Sequence, residues 1–294
     1  MSYTGFAITE ILIFVALGVL LHLQFGRTGI VNFGVVGFVG VGMYGFGIFT
    51  TTLGLSFWLT LLLATVATAV VALLVGWAIA GLDGDSTLVA TLAFATIVFN
   101  LAITEKWLTG GVSGLGGLPY PVDAGGSSGV YLLAIIAVVV VLFVGYALRL
   151  GRVPYGRLLA SIRDNELLAR SLGKSTTRQK LIFFVVTSTA MGLIGAFYAS
   201  VNQFLVPNLL GPQLTFTVWI AVILGGRTKA FGPILGVLVS VALFDLVIEP
   251  YLPVPAALAP VFPDLKLMLY GLVLVLVILF KPLGLLGGRK EVRA

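Results

Sequence analysis

The chain has 294 residues, of which 59% are hydrophobic and only 10% are charged, and it contains 37 glycines. Soluble domains carry about 25% charged residues, so this composition, with a mean hydropathy of +1.15, excludes an ordinary water-soluble domain. The chain has no cysteine, which excludes disulfides and cysteine-based metal sites, and one histidine with 11 acidic residues leaves little material for a catalytic centre. We therefore expect an all-α polytopic membrane protein, not an enzyme, with residues 1–294 forming one transmembrane domain.

Nine apolar segments are predicted to span the membrane, some of them as broken or half helices. They lie at residues 6–25, 30–50, 55–80, 86–104, 130–149, 181–204, 214–226, 231–249 and 265–281. The first segment lacks the basic start and the cleavage site of a secretory signal, so it is predicted to be a membrane helix. A membrane helix needs about 20 residues, so segment 214–226 either crosses as a short helix or enters as a half-helix.

The lysine and arginine residues predict the orientation of the chain. Eight of the 17 lie between Arg149 and Lys180, and basic loops stay in the cytoplasm. Counting spans outward from this loop leaves Lys106 and Lys266 outside. The other basic residues then lie inside: Arg27, Arg227, Lys229, Lys281, Arg289, Lys290 and Arg293. The predicted location is a bacterial or archaeal plasma (inner) membrane, with the N-terminus outside and the C-terminus cytoplasmic.

The net charge of +6 is accounted for by these loops. Basic residues beside membrane spans contact anionic lipid headgroups, so membrane lipid is the expected partner and nucleic acid is not. Three ionisable residues lie well inside predicted spans, namely Glu10, His22 and Asp245, and each is expected near a membrane boundary. So few buried charges argue against a proton-coupled transporter or a charge-selective channel.

Glycine-rich, interrupted segments occur in both halves of the chain. The second span has glycine at positions 34, 37, 40, 42, 45 and 47, after a polar start at Thr28–Asn32, and segment 214–226 is bounded by Gly211-Pro212 and Gly225-Gly226. Paired, interrupted apolar segments indicate a substrate pathway near the bilayer midplane. We expect Asn32, Phe33, Gly34 and Thr217 to line or shape it. Close helix packing explains the same glycines equally well.

Nucleotide-binding patterns are absent or out of context. Residues 40–45 match G-x-G-x-x-G, but they lie inside a span and no carboxylate follows before Asp83. The full P-loop pattern G-x-x-x-x-G-K-[ST] occurs nowhere in the chain. No cofactor is therefore expected, and any ATP that drives this protein is hydrolysed by another subunit.

A charged loop at about residues 150–180 is predicted to form two short amphipathic helices. Its apolar residues recur at helical spacing: Leu158, Leu159, Ile162, Leu167, Leu168 and Leu172. Asp164 is the expected N-cap of the second helix, and Gly173 the residue that follows its C-cap. Such a pair suits docking into a groove of a partner protein, while lying on anionic lipid is the alternative.

Four stretches in chain order resemble LivM-type permease subunits of branched-chain amino acid ABC importers. They are LQFGRTGIVNFGVVGFVGVGMY, TLAFATIVFN followed by TGGVSGLGGLP, GRLLASIRDNELLARSLGKSTTRQK, and LGGRTKAFGPILG with the terminal FKPLGLLG. Together they span about residues 20–287. The chain departs from the pattern at Val35, where many relatives have histidine, and this leaves the exact substrate open.

The resemblance implies a permease domain that pairs with a second, related permease subunit, as a heterodimer or a homodimer. Two cytoplasmic ATPase subunits would bind ATP, and an extracytoplasmic substrate-binding protein would deliver branched-chain or other neutral amino acids for alternating-access import. The loop would then couple to the ATPases through Arg157, Arg163, Asp164, Glu166, Leu168 and Gly173. Urea or short amides remain alternative substrates, and a stand-alone channel or carrier for a small neutral solute is the alternative class.

Overall fold

The computed structural model describes residues 3–122, 127–226 and 230–241, with isolated positions 265, 268, 271, 272, 275, 276, 279 and 284. Residues 242–264, most of the last predicted span and the basic residues at 227–229 and in the C-terminal tail lie outside this description. Asp245 is among them. The predicted total of nine crossings therefore remains a prediction.

Helices dominate the described residues, as expected. They are α1 Tyr3–His22, α2 Val35–Thr51, α3 Phe57–Ile79, α4 Gly84–Thr104, α5 Lys106–Thr109, α6 Ser128–Leu150, α7 Pro154–Asp164, α8 Glu166–Ser171, α9 Thr176–Asn202, α10 Pro212–Gly225 and α11 Gly232–Val237. Two short strands, β1 Leu115–Gly116 and β2 Phe204–Leu205, pair in antiparallel register with Leu115 opposite Leu205. The fold is that of an all-α membrane protein.

Six helical stretches in the described part are long and apolar enough to cross a membrane. One of them includes all but the last residue of segment 214–226, which was predicted either to cross as a short helix or to enter as a half-helix. A 3₁₀ turn at Pro207–Leu210 precedes α10, and the stretch Pro207–Gly225 reaches 19 residues. By length it is sufficient for a crossing, because about 20 residues span the hydrocarbon core. The second span is shorter than predicted, since α2 begins only at Val35.

Helix α2 lies at the centre of the core, packed against α9 and α3. Phe38, Met43 and Phe46 on α2 are fully buried. A Cβ placed on Gly42 would lie 1.9 Å from the carbonyl oxygen of Gly192 on α9, so the two backbones touch at this point. The glycine row of the second span therefore serves close helix packing at Gly42, as one of the two interpretations predicts.

The loops that connect the helices lie at two opposite ends of the helix assembly. At one end, the Arg163 side chain on α7 donates to the carbonyl of Gly26, and a Cβ on Gly151 would lie 2.8 Å from Nη2 of Arg27. At the other end, β1 pairs with β2 and the hydroxyl of Ser200 donates to the carbonyl of Pro119 at 2.7 Å. Arg27 and the basic loop thus share one end, as the predicted orientation requires.

Cysteine labelling tests the orientation. Ser127 and Ser175 are both exposed, and the chain contains no native cysteine. We expect a cysteine at position 127 to react with an impermeant maleimide in intact cells, whereas a cysteine at position 175 reacts only after the membrane is opened. Reaction of both from the same side would contradict the positive-inside assignment.

Candidate pathway and docking loop

The chain breaks between α1 and α2. Helix α1 continues into a π-helix at Leu23–Thr28, which ends at Gly29 with φ +74°, and regular helix resumes only at Val35. A positive φ is inexpensive for glycine alone among ordinary residues, so Gly29 lets the chain turn out of the helix. The predicted interruption around Thr28–Asn32 is therefore present, and its unpaired backbone groups need other partners.

Gln24 holds this break to α9. Its Nε2 donates to the hydroxyl of Thr187 at 2.7 Å and to that of Ser188 at 3.1 Å. Its Oε1 accepts a hydrogen bond from Nδ2 of Asn32 at 2.8 Å. All four side chains are at most 1% exposed, so this is a buried, mutually satisfied polar cluster. Such clusters fix one arrangement because an unmade bond in an apolar interior is costly.

Asn32 organises the rest of the break. Its Oδ1 accepts from the backbone N–H of Gly34 at 2.7 Å, and its carbonyl accepts from Nε1 of Trp219 at 3.0 Å. The hydroxyl of Thr91 on α4 accepts from the N–H of Phe33 at 3.0 Å. Side chains from α4 and α10 thus replace the helical hydrogen bonds that the break removes.

An apolar cavity of about 240 Å³ adjoins the break. Phe33 stacks on Trp219, with ring centroids 4.8 Å apart and planes 19° apart, and meets Phe216 edge-on at 6.2 Å. The residues that line the cavity are Phe33, Val36, Leu92, Ala95, Thr96, Phe99, Leu210, Pro212, Thr215 and Phe216. None of them is charged, so the cavity suits an aliphatic group.

Of the four predicted pathway residues, Phe33 lines the apolar cavity, and Asn32 and Gly34 are its neighbours in the chain. A Cβ on Gly34 would lie 2.9 Å from the carbonyl of Thr91, so only glycine fits there. Their role in transport stays a prediction. Thr217 is buried in α10 but does not line the cavity. It lies about 200° around the helix from Thr215. Thr215 faces the break, since its hydroxyl accepts from the N–H of Val36 at 3.2 Å.

His22 is buried within the protein. It is 1% exposed, and neither ring nitrogen makes a hydrogen bond within the described ranges. Its burial is against the protein's own helices, because α1 continues beyond His22 into the π-helix, and its depth relative to the membrane boundary stays a prediction. His22 precedes the Gln24 cluster by two residues.

The loop forms the two predicted helices, with one correction. Asp164 is the last residue of α7 and forms an exposed ion pair with Arg163 at 2.8 Å. The N-cap of α8 is Asn165, whose Oδ1 accepts from the N–H of Leu168 at 2.9 Å. Asn165 has the extended backbone that an N-cap requires (φ −157°, ψ 97°), whereas Asp164 is still helical.

Gly173 ends α8 as predicted. It has φ +75°, its N–H donates to the carbonyl of Arg170 at 2.9 Å, and the N–H of Lys174 donates to the carbonyl of Ala169 at 3.1 Å. These two bonds form a Schellman motif, which glycine favours after the C-cap. The chain then turns directly into α9.

Two contacts attach the loop to the membrane helices. Arg163 donates through Nη1 to the carbonyl of Gly26 in the π-helix, and its Cγ lies 3.1 Å from where a Cβ of Gly29 would be. Glu166 on α8 binds Lys180 on α9 and accepts from the hydroxyl of Thr176 at 3.0 Å. The loop is thus joined both to the break and to the helix that holds Gln24.

The Glu166 carboxylate is ionised in this setting. Its partial burial raises the pKa, but the hydrogen bonds from Lys180 and Thr176 and the positive charges of Lys180 and Arg170 outweigh that effect and leave the pKa below its ordinary value. The attachment of α8 to α9 therefore holds at neutral pH and weakens as the pH falls through this lowered pKa.

The apolar residues of the loop divide into two surfaces. On α7, Leu159 and Ile162 are buried against the protein's own helices. In and just after α8, Leu167, Leu168 and Leu172 are 79%, 57% and 70% exposed. Arg157 is also exposed and donates to the carbonyl of Arg152 at 3.2 Å. The sequence pattern grouped these five apolar residues with Leu158, which is partly buried, and the structure separates an anchoring surface from a free one.

The comparisons with known proteins agree with this architecture. A family model described as "Branched-chain amino acid transport system / permease component" matches residues 3–278. The "High-affinity branched-chain amino acid transport system permease protein LivM" of Salmonella typhimurium is 30% identical over 305 aligned positions, covering 95% of this chain and 68% of the relative. The LivM protein of Escherichia coli is 28% identical over the same shares of both chains. A "Probable branched-chain amino acid transport permease protein LivM" of Methanocaldococcus jannaschii is 28% identical over 50% of this chain and 45% of its own. The chain belongs to the family of branched-chain amino acid transport permease components.

Proposed function

We propose that this chain is the membrane-spanning subunit of an ATP-driven importer that moves branched-chain amino acids into the cytoplasm. The observation that carries the proposal is the hydrogen-bonded connection between an exposed leucine surface and a broken helix beside an apolar cavity. Arg163 links the loop to the π-helix, and Gln24 and Asn32 link the π-helix to the cavity wall. A partner that moves the loop therefore acts on the wall of the cavity.

The leucine surface of α8 favours an ATPase-driven protein over a stand-alone channel or carrier. Leu167, Leu168 and Leu172 lie outside the predicted spans, where exposed leucines have no lipid tails to contact. Adjacent large apolar side chains exposed to water mark a protein interface. We propose that two ATPase subunits bind here and in the second permease, with ATP held entirely by those subunits.

The cavity favours an aliphatic substrate over urea or a short amide. Its lining is phenylalanine, leucine, valine, alanine and proline, with two threonine hydroxyls. Burying the polar edges of urea in such a lining would leave hydrogen bonds unmade, whereas a branched alkyl group loses none. We propose that the side chain of leucine, isoleucine or valine occupies this cavity during transport.

The open side of the cavity fits a second permease subunit. Helix α4 exposes Thr96, Asn100 and Thr104 in one row at helical spacing, although it is a membrane-crossing helix. Polar side chains on membrane helices stabilise contacts with other helices more than with lipid. We propose that a related subunit packs against this row, closes the cavity and forms the pathway together with this chain. We also propose that an extracytoplasmic binding protein delivers substrate at the end of the helix assembly opposite the loop.

Alternating access then follows from the connections of the loop. ATP-driven movement of the loop pulls on α9 through Glu166 of α8 and on the π-helix through Arg163 of α7. Because Gln24 bonds to α9 and to Asn32 together, both movements converge on the segment that carries Phe33. A segment without internal helical hydrogen bonds changes conformation more easily than the helices on either side of it.

Reconstitution tests the proposed function. The chain is assembled in proteoliposomes with its permease partner, the ATPase subunits and the binding protein, and uptake of labelled leucine and of labelled urea is measured with and without internal ATP. We expect leucine uptake that requires ATP, and no ATP-dependent urea uptake. Leucine equilibration without ATP would indicate a channel or carrier, and urea uptake in place of leucine would overturn the substrate assignment.

A further inference from the structure

A second cavity, of about 300 Å³, lies at the end of the bundle that carries the loop. It shares no lining residue with the apolar cavity beside Phe33. Four parts of the chain surround it: the broken segment at Gly29–Val31, the turn between α3 and α4, helix α8 and the start of α9. Apolar side chains form part of its wall, among them Ile79, Leu181 and Phe184.

Charges of both signs line this cavity, and they come from different elements. Glu166, Arg170 and Lys180 on α8 and α9 form one ion-pair cluster, with a net charge of about +1 at neutral pH from two cations and one carboxylate. Asp83, in the turn between α3 and α4, supplies a separate carboxylate that caps α4 by accepting from the N–H of Ser86 at 3.1 Å. The cavity thus combines an excess positive charge, a negative charge and an apolar wall.

This combination is complementary to a free α-amino acid with an aliphatic side chain. The carboxylate of such a ligand would bind the guanidinium of Arg170 and the ammonium of Lys180, and its ammonium would bind Asp83. Its alkyl group would contact Ile79, Leu181 and Phe184. A phosphate or an anionic lipid headgroup fits less well, since Asp83 would repel it. The volume is at the lower limit of ordinary small-molecule pockets, about 300 Å³, so the fit is to a small solute.

We propose that this cavity is a second binding site, separate from the transport pathway, for a zwitterionic amino acid on the cytoplasmic side. The proposal rests on the proposed function for the orientation of this end and for the choice of leucine as probe. A solute bound there contacts the break at Gly29–Val31, α8 and α9 at once. It stabilises one arrangement of the three elements that must move during transport, so accumulated amino acid slows further import.

Binding is measured first, on the transporter assembled with its partner permease and ATPases in nanodiscs, without the binding protein. We expect labelled leucine to bind, and leucinamide or 4-methylpentanoate, which lack the carboxylate or the ammonium, to compete at least tenfold less well. Asp83→Asn should weaken binding at least tenfold, because asparagine keeps the helix cap but removes the charge. Asp85→Asn is the matched control, since Asp85 lies in the same first turn of α4 but does not line the cavity.

Transport is measured second, in proteoliposomes loaded with leucine. We expect internal leucine to lower the initial uptake rate at least threefold in the wild type and in Asp85→Asn, and to have no effect in Asp83→Asn. Leucine binding and inhibition unchanged by Asp83→Asn would overturn this proposal, and so would an absence of binding to the wild type. The two proposals fail separately: uptake without Asp83-dependent binding removes only the second site, and Asp83-dependent binding without ATP-driven uptake removes only the importer function.

Discussion

Replacing Asn32 by leucine should lower leucine uptake at least tenfold while the protein still inserts into the membrane. The substitution leaves Oε1 of Gln24 and the backbone N–H of Gly34 without their partners at a site where both residues are buried. Each unsatisfied buried polar group costs about 1–3 kcal/mol. The break is then free to adopt other arrangements, and the wall formed by Phe33 loses its fixed position.

Asn202→Leu is the matched control for this substitution. Its carboxamide donates to the carbonyl of Tyr198 on its own helix at 2.9 Å and is remote in sequence from the break. Uptake in reconstituted vesicles should be near the wild-type rate for this control. Wild-type uptake by Asn32→Leu itself would show that the break does not shape the pathway.

Replacing Gly42 by alanine should remove most of the folded protein. The added Cβ would lie 1.9 Å from the carbonyl oxygen of Gly192 and 2.8 Å from its Cα, so no side-chain rotation relieves the clash. Helices α2 and α9 would have to separate along the central contact of the core. Overpacking typically costs about 1–3 kcal/mol, and occasionally more, and a clash between two backbones belongs to the upper part of this range.

Gly45→Ala on the same helix provides the comparison. A Cβ there would meet the Cβ of Ala64 at 3.4 Å, which is ordinary van der Waals contact. The readout is the fraction of monodisperse protein that remains after heating in detergent. This fraction should fall strongly for Gly42→Ala and change little for Gly45→Ala. Equal stability of the two variants would contradict the close approach of α2 and α9.

The sequence was sufficient to predict the helical class, the approximate positions of the long described helices and the position of the break. Hydropathy determines these features directly, because a membrane helix must bury its backbone polar groups in its own hydrogen bonds. The loop was predictable for a similar reason, since charged residues cannot insert while its leucines recur at helical spacing. Gly173 was predictable because a residue after a C-cap needs a positive φ.

The remaining features depend on long-range packing. Gln24 and Thr187 are 163 residues apart, and nothing local indicates that they bond. The N-cap of α8 is Asn165 and not the predicted Asp164. The two positions differ by one residue, and the sequence composition does not determine at which of them the helix begins. The sequence does not indicate that Thr215 and Trp219 face the break, because the rotation of α10 about its own axis is set only by the helices around it.

Leu168→Asp tests whether α8 is the surface on which the ATPase docks. Leu168 is 57% exposed in the free leucine surface, and Ser161 on α7 is exposed outside that surface. Ser161→Asp adds the same charge to the same loop and is the control. A carboxylate buried without a partner at an interface costs several kcal/mol, enough to separate subunits held by a small contact.

The measurement is the amount of ATPase subunit that co-purifies with the permease in detergent without added anionic lipid. We predict that Leu168→Asp loses most of the ATPase but keeps its membrane partner, while Ser161→Asp retains both at the wild-type level. Undiminished recovery of the ATPase with Leu168→Asp would contradict docking through α8 and favour a helix that lies on lipid.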